Sequence, residues 1–181
     1  IATLRPLVAA GLLPADYPVT VNGVTGYSGG GRPMIEDYVA KGEDAPEFLP
    51  YGLTLHHKHV PELKAYARLS HDPIMQPAVG NFAQGMLTVV PLQLGNLDYV
   101  PSGAQLHEAI ADHFAGIDNG VVEVAPFEKV ERVPEIDPEH LNGTNRMKLY
   151  VFANDDRAQA LLVAVYDNLG KGASGAAVQN M

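Results

Sequence analysis

The sequence predicts one domain that contains both strands and helices, and three observations carry that prediction. Runs such as Val19-Thr20-Val21 and Val121-Val122-Glu123-Val124 have the β-branched content of strands. Ser102-Gly103-Ala104-Gln105 has capping-box spacing, and Leu106, Ile110 and Phe114 follow it at helical intervals. The 181 residues hold no internal repeat and no linker, and that length is enough for one domain with a sizeable core.

Taken in order, Leu4 to Leu13 is rich in Leu and Ala and reads as a short helix whose N-terminal part is expected upstream of Ile1. Pro18 to Thr25 reads as a strand, and Gly26 to Gly31 as the loop after it. Pro33 to Ala40 suits a helical segment, with a polar connector through Pro46 and Pro50. Tyr51 to Leu55 fits neither class. Pro61 falls in the first turn of a helix expected to run to about Leu69, where its missing N–H costs little. Pro77 to Leu94 alternates loosely and reads as one or two strands, with Pro91 at an edge or bulge and Gly85 at a bulge or close contact. After the helix that begins at Ser102 and ends near Gly116, Val121 to Val124 is a strand. Glu128 to Leu141, charged and carrying two prolines, is a surface connection. Arg146 to Ala153 is a strand and Asn154-Asp155-Asp156 a turn. By pattern alone Ala158 to Leu169 fits a helix or a buried strand, and a further helix begins at Ser174.

Composition excludes several classes of function. Hydrophobic residues make up 46% and charged residues 18%, an ordinary globular balance. A net charge of −9, with only 12 scattered Lys and Arg, argues against a nucleic-acid partner. The longest apolar runs, such as Ala160 to Tyr166, are too short to span a bilayer, so no membrane partner is expected. No cysteine is present, hence no disulfide framework and no thiolate metal site, which is compatible with the cytoplasm.

Three motifs carry chemistry. His59-Val60-Pro61-Glu62 places an imidazole and a carboxylate three residues apart. At a helix start they share a face, so Glu62 fixes the tautomer of His59 and leaves the other ring nitrogen for acid–base work. The alternative is a surface histidine with Glu62 countering the helix dipole. His56 and His57 crowd the same place, but zinc needs three or four ligands and the nearest further candidate is His71, so no metal is expected. Tyr27-Ser28-Gly29-Gly30-Gly31-Arg32 suits an oxyanion: glycine N–H groups can form a nest, Ser28 donates, and Arg32 can fork a carboxylate or phosphate. A flexible hairpin loop explains the same residues. Gly170-Lys171-Gly172-Ala173-Ser174-Gly175, continuing to Asn180, permits close backbone approach or simply packs a small-residue helix.

Together these three motifs, from Leu4-Arg5-Pro6-Leu7 through Asp167-Asn168-Leu169-Gly170 to Asn180, resemble the shorter type of N-acetyl-gamma-glutamyl-phosphate reductase over nearly the whole chain. The resemblance implies an α+β fold: a mixed, largely antiparallel sheet with helices on one face, like the C-terminal domain of glyceraldehyde-3-phosphate dehydrogenase. It favours strand for Ala158 to Leu169, paired antiparallel with the strand before it. It implies NADPH-dependent reduction of N-acetyl-gamma-glutamyl phosphate to the semialdehyde, in arginine biosynthesis. His59 and Glu62 would be catalytic, and Ser28, Gly29, Gly30, Arg32 and His57 would bind substrate. Gly172, Ser174, Gly175 and Asn180 would approach the cofactor. The family's catalytic cysteine is missing here and is expected just upstream of Ile1, with the nucleotide-binding domain further upstream. Residues 1–181 would then be the catalytic and dimerisation domain of a homodimer or homotetramer, inactive alone. The competing expectation is a non-catalytic module that binds anions or N-acetylglutamate.

Overall fold

The computed structural model describes residues 1–116, 120–127 and 136–179. Seven strands form one sheet in the order β2-β3-β1-β4-β7-β6-β5. They are β1 (Thr20–Gly26), β2 (Phe48–Pro50), β3 (Ile74–Gly80), β4 (Met86–Gln93), β5 (Val122–Val124), β6 (Met147–Asn154) and β7 (Gln159–Tyr166). The pairs β1–β3 and β5–β6 are parallel, while β1–β4, β2–β3, β4–β7 and β6–β7 are antiparallel. The helices are α1 (Leu4–Ala9), α2 (Gly31–Lys41), α3 (Val60–Ala67), α4 (Gly103–Phe114) and α5 (Gly175–Gln179). This is the mixed, largely antiparallel α+β architecture that the resemblance implies.

Several local expectations are met for visible reasons. Ser102 caps α4 in a capping box, its hydroxyl accepting from the Gln105 N–H while the Gln105 side chain accepts from the Ser102 N–H. Leu106 and Ile110 are fully buried from that helix. Ala158 to Leu169 resolves as β7, antiparallel to β6 over all eight residues. Gly85 is a close contact: at φ +122°, a Cβ there would lie 2.5 Å from the Pro138 carbonyl oxygen. Pro91 lies in β4 beyond the stretch paired with β1, where a missing N–H is tolerated.

Other segments differ from expectation. Gly26 to Gly31 is not an open loop; Tyr27–Gly30 make a 3-10 turn that runs into α2 at Gly31. The Tyr27 and Ser28 N–H groups donate to the Phe82 and Ala83 carbonyls, which hold that turn against the β3–β4 connection. The Pro77 to Leu94 stretch is two strands that do not pair with each other, because β1 lies between them. β2 forms in the expected connector, at the sheet edge. Of the Glu128 to Leu141 connection, residues 128–135 lie outside the described residues.

One face of the sheet carries the main core, in which Leu4, Leu7, Leu106 and Ile110 of the helices meet Val21, Val90, Leu92, Leu149, Val151, Leu162 and Ala164 of the strands. At roughly 25 cal/mol per Å² of apolar surface, this layer supplies most of the driving force for the fold. The other face presents side chains in register across three strands: Leu87–Val165–Lys148, Val89–Val163–Tyr150 and Pro91–Leu161–Phe152. These rows lie outside the helix-packed core, and Leu161 remains 43% exposed.

Candidate functional site

On the helix-covered face the sheet holds a cavity of about 300 Å³. Strand residues Val21, Met75, Met86, Thr88, Val90, Met147, Ala164 and Tyr166 line it, together with Ile1 to Leu4, the first turn of α3 and the Lys171–Gly172 turn. His59 is the residue before α3, with Pro61 and Glu62 in the first turn. That geometry closes the expected pair: His59 Nδ1 lies 2.8 Å from Glu62 Oε2, and both side chains line the cavity. They are 48% and 58% exposed, so a reactant and solvent both reach them.

His57 sits beside the pair. Its Nδ1 accepts the His59 backbone N–H at 3.2 Å, which leaves Nε2 to carry the proton of the neutral ring. The ring lies 5.2 Å from that of His59 and 5.8 Å from that of Tyr51. Burial, and then the charges of His59 and Lys58, push the His57 pKa down, so it is neutral at physiological pH.

The Ser28 segment is placed differently. Ser28 is buried and its hydroxyl oxygen accepts from Asn168 Nδ2 at 3.0 Å. Gly29 lies against Thr25, and Gly30 against Met34. Arg32 is 88% exposed and pairs with Glu36 at 2.7 Å along α2. None of these four residues lines the cavity.

The Gly170–Ser174 turn forms a single wide helical turn leading into α5. Gly172 is exposed and lines the cavity. Ser174 donates its hydroxyl to the Leu169 carbonyl at 2.8 Å, and Gly175 packs closely on the Asn145 side chain and the Gly170 backbone. Asn180 lies outside the described residues.

Two features of the site were given no role of their own from the sequence. Tyr166 and Lys171 line the cavity, and Asp167, 1% exposed, fastens the turn that carries Lys171. Asp167 Oδ2 accepts from Gln84 Nε2 at 2.6 Å and from the Gly143 N–H at 2.9 Å, while Oδ1 accepts the Leu169 N–H at 2.8 Å. Burial alone would raise this carboxyl, but the N–H groups of Leu169, Gly143 and Gly170 with Gln84 outweigh it and hold its pKa below the ordinary value. The adjacent Asn168 joins the Gly85 N–H to Ser28. A carboxylate directly after a long apolar strand was the available signal, since a buried charge requires several donors. Among the described residues no group of three or more His, Cys, Asp or Glu could hold a metal ion.

The fold is a layered α+β domain with a solvent-reached imidazole–carboxylate pair at a cavity on one sheet face and rows of mostly apolar side chains on the other. Residues 1–168 match the family described as semialdehyde dehydrogenase, dimerisation domain, and the chain belongs to that family. Over its full length it is 84% identical to the N-acetyl-gamma-glutamyl-phosphate reductase of Mesorhizobium japonicum and 75% identical to that of Chelativorans sp.. It spans 59% and 58% of those two proteins. The fold is shared with aspartate semialdehyde dehydrogenase II from Vibrio cholerae, at TM-score 0.68 and 16% identity, over 98% of this chain and 56% of that one. It is shared also with the Francisella tularensis aspartate semialdehyde dehydrogenase, at TM-score 0.65 and 12% identity, over 95% of this chain and 58% of the other.

Proposed function

We propose that this chain is the catalytic and dimerisation part of an NADPH-dependent N-acetyl-gamma-glutamyl-phosphate reductase of arginine biosynthesis, working in the cytoplasm. The observation that carries the reading is the shared cavity: Ile1 to Leu4 line the same space as His59 and Glu62. A cysteine placed just before Ile1 would therefore stand beside the imidazole. High identity to reductases of which this chain spans about three-fifths supports the reductase reading.

In this reading His59 takes the thiol proton, and Glu62 stabilises the resulting imidazolium. The thiolate attacks the acyl carbon, phosphate leaves, and a thioester remains. After reduction His59 returns a proton as the hemithioacetal collapses to the aldehyde. Bound NADPH supplies the hydride. A space of about 300 Å³ takes an acyl chain and the reactive end of a cofactor but not a whole dinucleotide. Gly172, exposed at the cavity, suits the approach of that end. Ser174, exposed on the turn with its hydroxyl donated to the Leu169 carbonyl, and Gly175 complete the expected approach to the cofactor in this proposal. Asn180 keeps its expected cofactor contact as part of this proposal. His57, neutral and beside His59, contacts substrate. Ser28, Gly29, Gly30 and Arg32 contribute to substrate binding if Arg32 leaves Glu36 for an incoming anion.

The sheet rows ending in Tyr150 and Phe152 provide the surface for a homodimer, and a tetramer would need a second, different patch. Among the described residues no helix is long and apolar enough to cross a membrane. The test is turnover by the protein at its native length. Phosphate-dependent reduction of NADP by the semialdehyde, lost in a His59→Asn variant, supports the proposal; absence of any such turnover in the wild type refutes it.

A further inference from the structure

An acidic protein that takes an anionic substrate needs local positive charge where the substrate sits. Arg32, the cation expected from the sequence, points to solvent and is held by Glu36. Of the described side chains that line the cavity, Lys171 alone is a Lys or Arg. Its position is built. The Gly172 N–H donates to the Asp167 carbonyl at 2.8 Å, and the Ser174 N–H to the Leu169 carbonyl at 3.1 Å. The Asp167 carboxylate anchors the start of the same turn through the Leu169 N–H. Gly170 has no room for a side chain, since a Cβ would collide with the Thr144 carbonyl. The turn is therefore clamped between the end of β7 and the 141–145 loop.

Hydroxyl donors stand on the same wall. Tyr166 pairs with Met86 in the β4–β7 register and Ala164 with Thr88, two positions along, so Tyr166 and Thr88 project from the same sheet face. Both line the cavity. Burial, with a smaller push from the Tyr51 phenol, raises the Tyr166 pKa to about 12, which keeps it a donor at neutral pH. The remaining strand lining is apolar: Val21, Met75, Met86, Val90, Met147 and Ala164. One cation and two hydroxyls on an apolar wall discriminate an oxyanion from a neutral group.

We propose that Lys171 and Tyr166 form the subsite that takes an oxyanion of the substrate, a carboxylate or a phosphoryl group, in the cavity that holds His59. The assignment rests on the reductase reading for its substrate but makes its own prediction about binding. The native-length protein is titrated calorimetrically with N-acetyl-L-glutamate and, separately, with inorganic phosphate. Lys171→Met weakens the responding probe about tenfold or more, and Tyr166→Phe weakens it several-fold. Lys171→Arg restores most of the binding, and Lys41→Ala, at a surface cation paired with Asp37 and absent from the cavity lining, changes it less than about twofold. Loss confined to N-acetylglutamate makes the subsite a carboxylate site; loss confined to phosphate makes it a phosphoryl site. In turnover, Lys171→Met raises KM more than it lowers kcat. Wild-type binding by both Lys171→Met and Tyr166→Phe overturns the proposal, as does an equal loss in Lys41→Ala, which would make the effect one of overall charge. So does failure of the wild type to bind either probe. Binding that depends on Lys171 in a protein that never turns over with NADPH would defeat the reductase reading and leave the subsite standing.

Discussion

Glu62 and Asp167 are both carboxylates of the same site, one lining the cavity and the other directly following the cavity residue Tyr166. Glu62 is 58% exposed and has a histidine as its partner. Asp167 is 1% exposed and receives neutral donors from three separate segments: the β3–β4 connection, the 141–145 loop and its own turn. The contrast separates two uses of charge. A carboxylate that must respond to a changing proton stays solvated with one titratable partner. A carboxylate that must hold a shape is buried among fixed dipoles.

The largest expected effects fall on the exposed pair and appear in rate. His59→Asn in the native-length protein lowers kcat by about 10²–10⁴-fold, and Glu62→Gln by less. Neither changes folding stability by more than about 1 kcal/mol, because an exposed ion pair contributes little. Steady-state kinetics beside thermal unfolding reads both quantities. A Glu62→Gln variant with unaltered kcat and lowered stability would reverse the assignment.

Next in size is the buried carboxylate. Asp167→Ala strands several buried N–H donors and is expected to cost about 3 kcal/mol or more in chemical unfolding. Its pH signature has a fixed sign. The folded-state value lies below the ordinary 3.8, so the unfolded chain binds the proton first as pH falls. The stabilisation is complete above 3.8 and is lost as pH drops from there through the lower folded value. Asp167→Asn removes that component of the acid transition. An unchanged acid limb would mean that the ionised form is not what the surrounding donors hold.

Smaller effects bracket the comparison. Ser102→Ala removes the capping hydroxyl of α4 and should cost about 1 kcal/mol. Arg32→Ala, at an 88% exposed side chain, should change stability by less than about 0.5 kcal/mol. A larger loss for Arg32→Ala would show that α2 depends on a contact that its exposure does not suggest.

What could be read from the sequence tracks how local each cause is. The α4 capping box lies within four residues, and His59 with Glu62 within one helical turn, so spacing suggested both contacts, while only the resemblance gave the pair a catalytic role. β7 was open between helix and strand because Ala160, Leu162, Val163, Ala164 and Val165 are all buried, which erases the period that separates the two. β2 escaped notice because three residues between prolines at a sheet edge carry almost no pattern. The partners of Asp167 were out of reach for a different reason: Gln84 is 83 positions away, and the Ser28–Asn168 contact spans 140. Such pairs exist only once the strand order has put β1 between β3 and β4. Arg32 shows the reverse case, since a residue type suited to anions was turned outward by the helix that begins at Gly31.

The most direct measurement is kcat and the thermal midpoint of the native-length protein with His59→Asn, assayed as phosphate-dependent NADP reduction. The account predicts a fall in kcat of about 100-fold or more with an almost unchanged midpoint. Full activity in the variant would contradict it, because the proton transfer would then have to lie with a group other than His59.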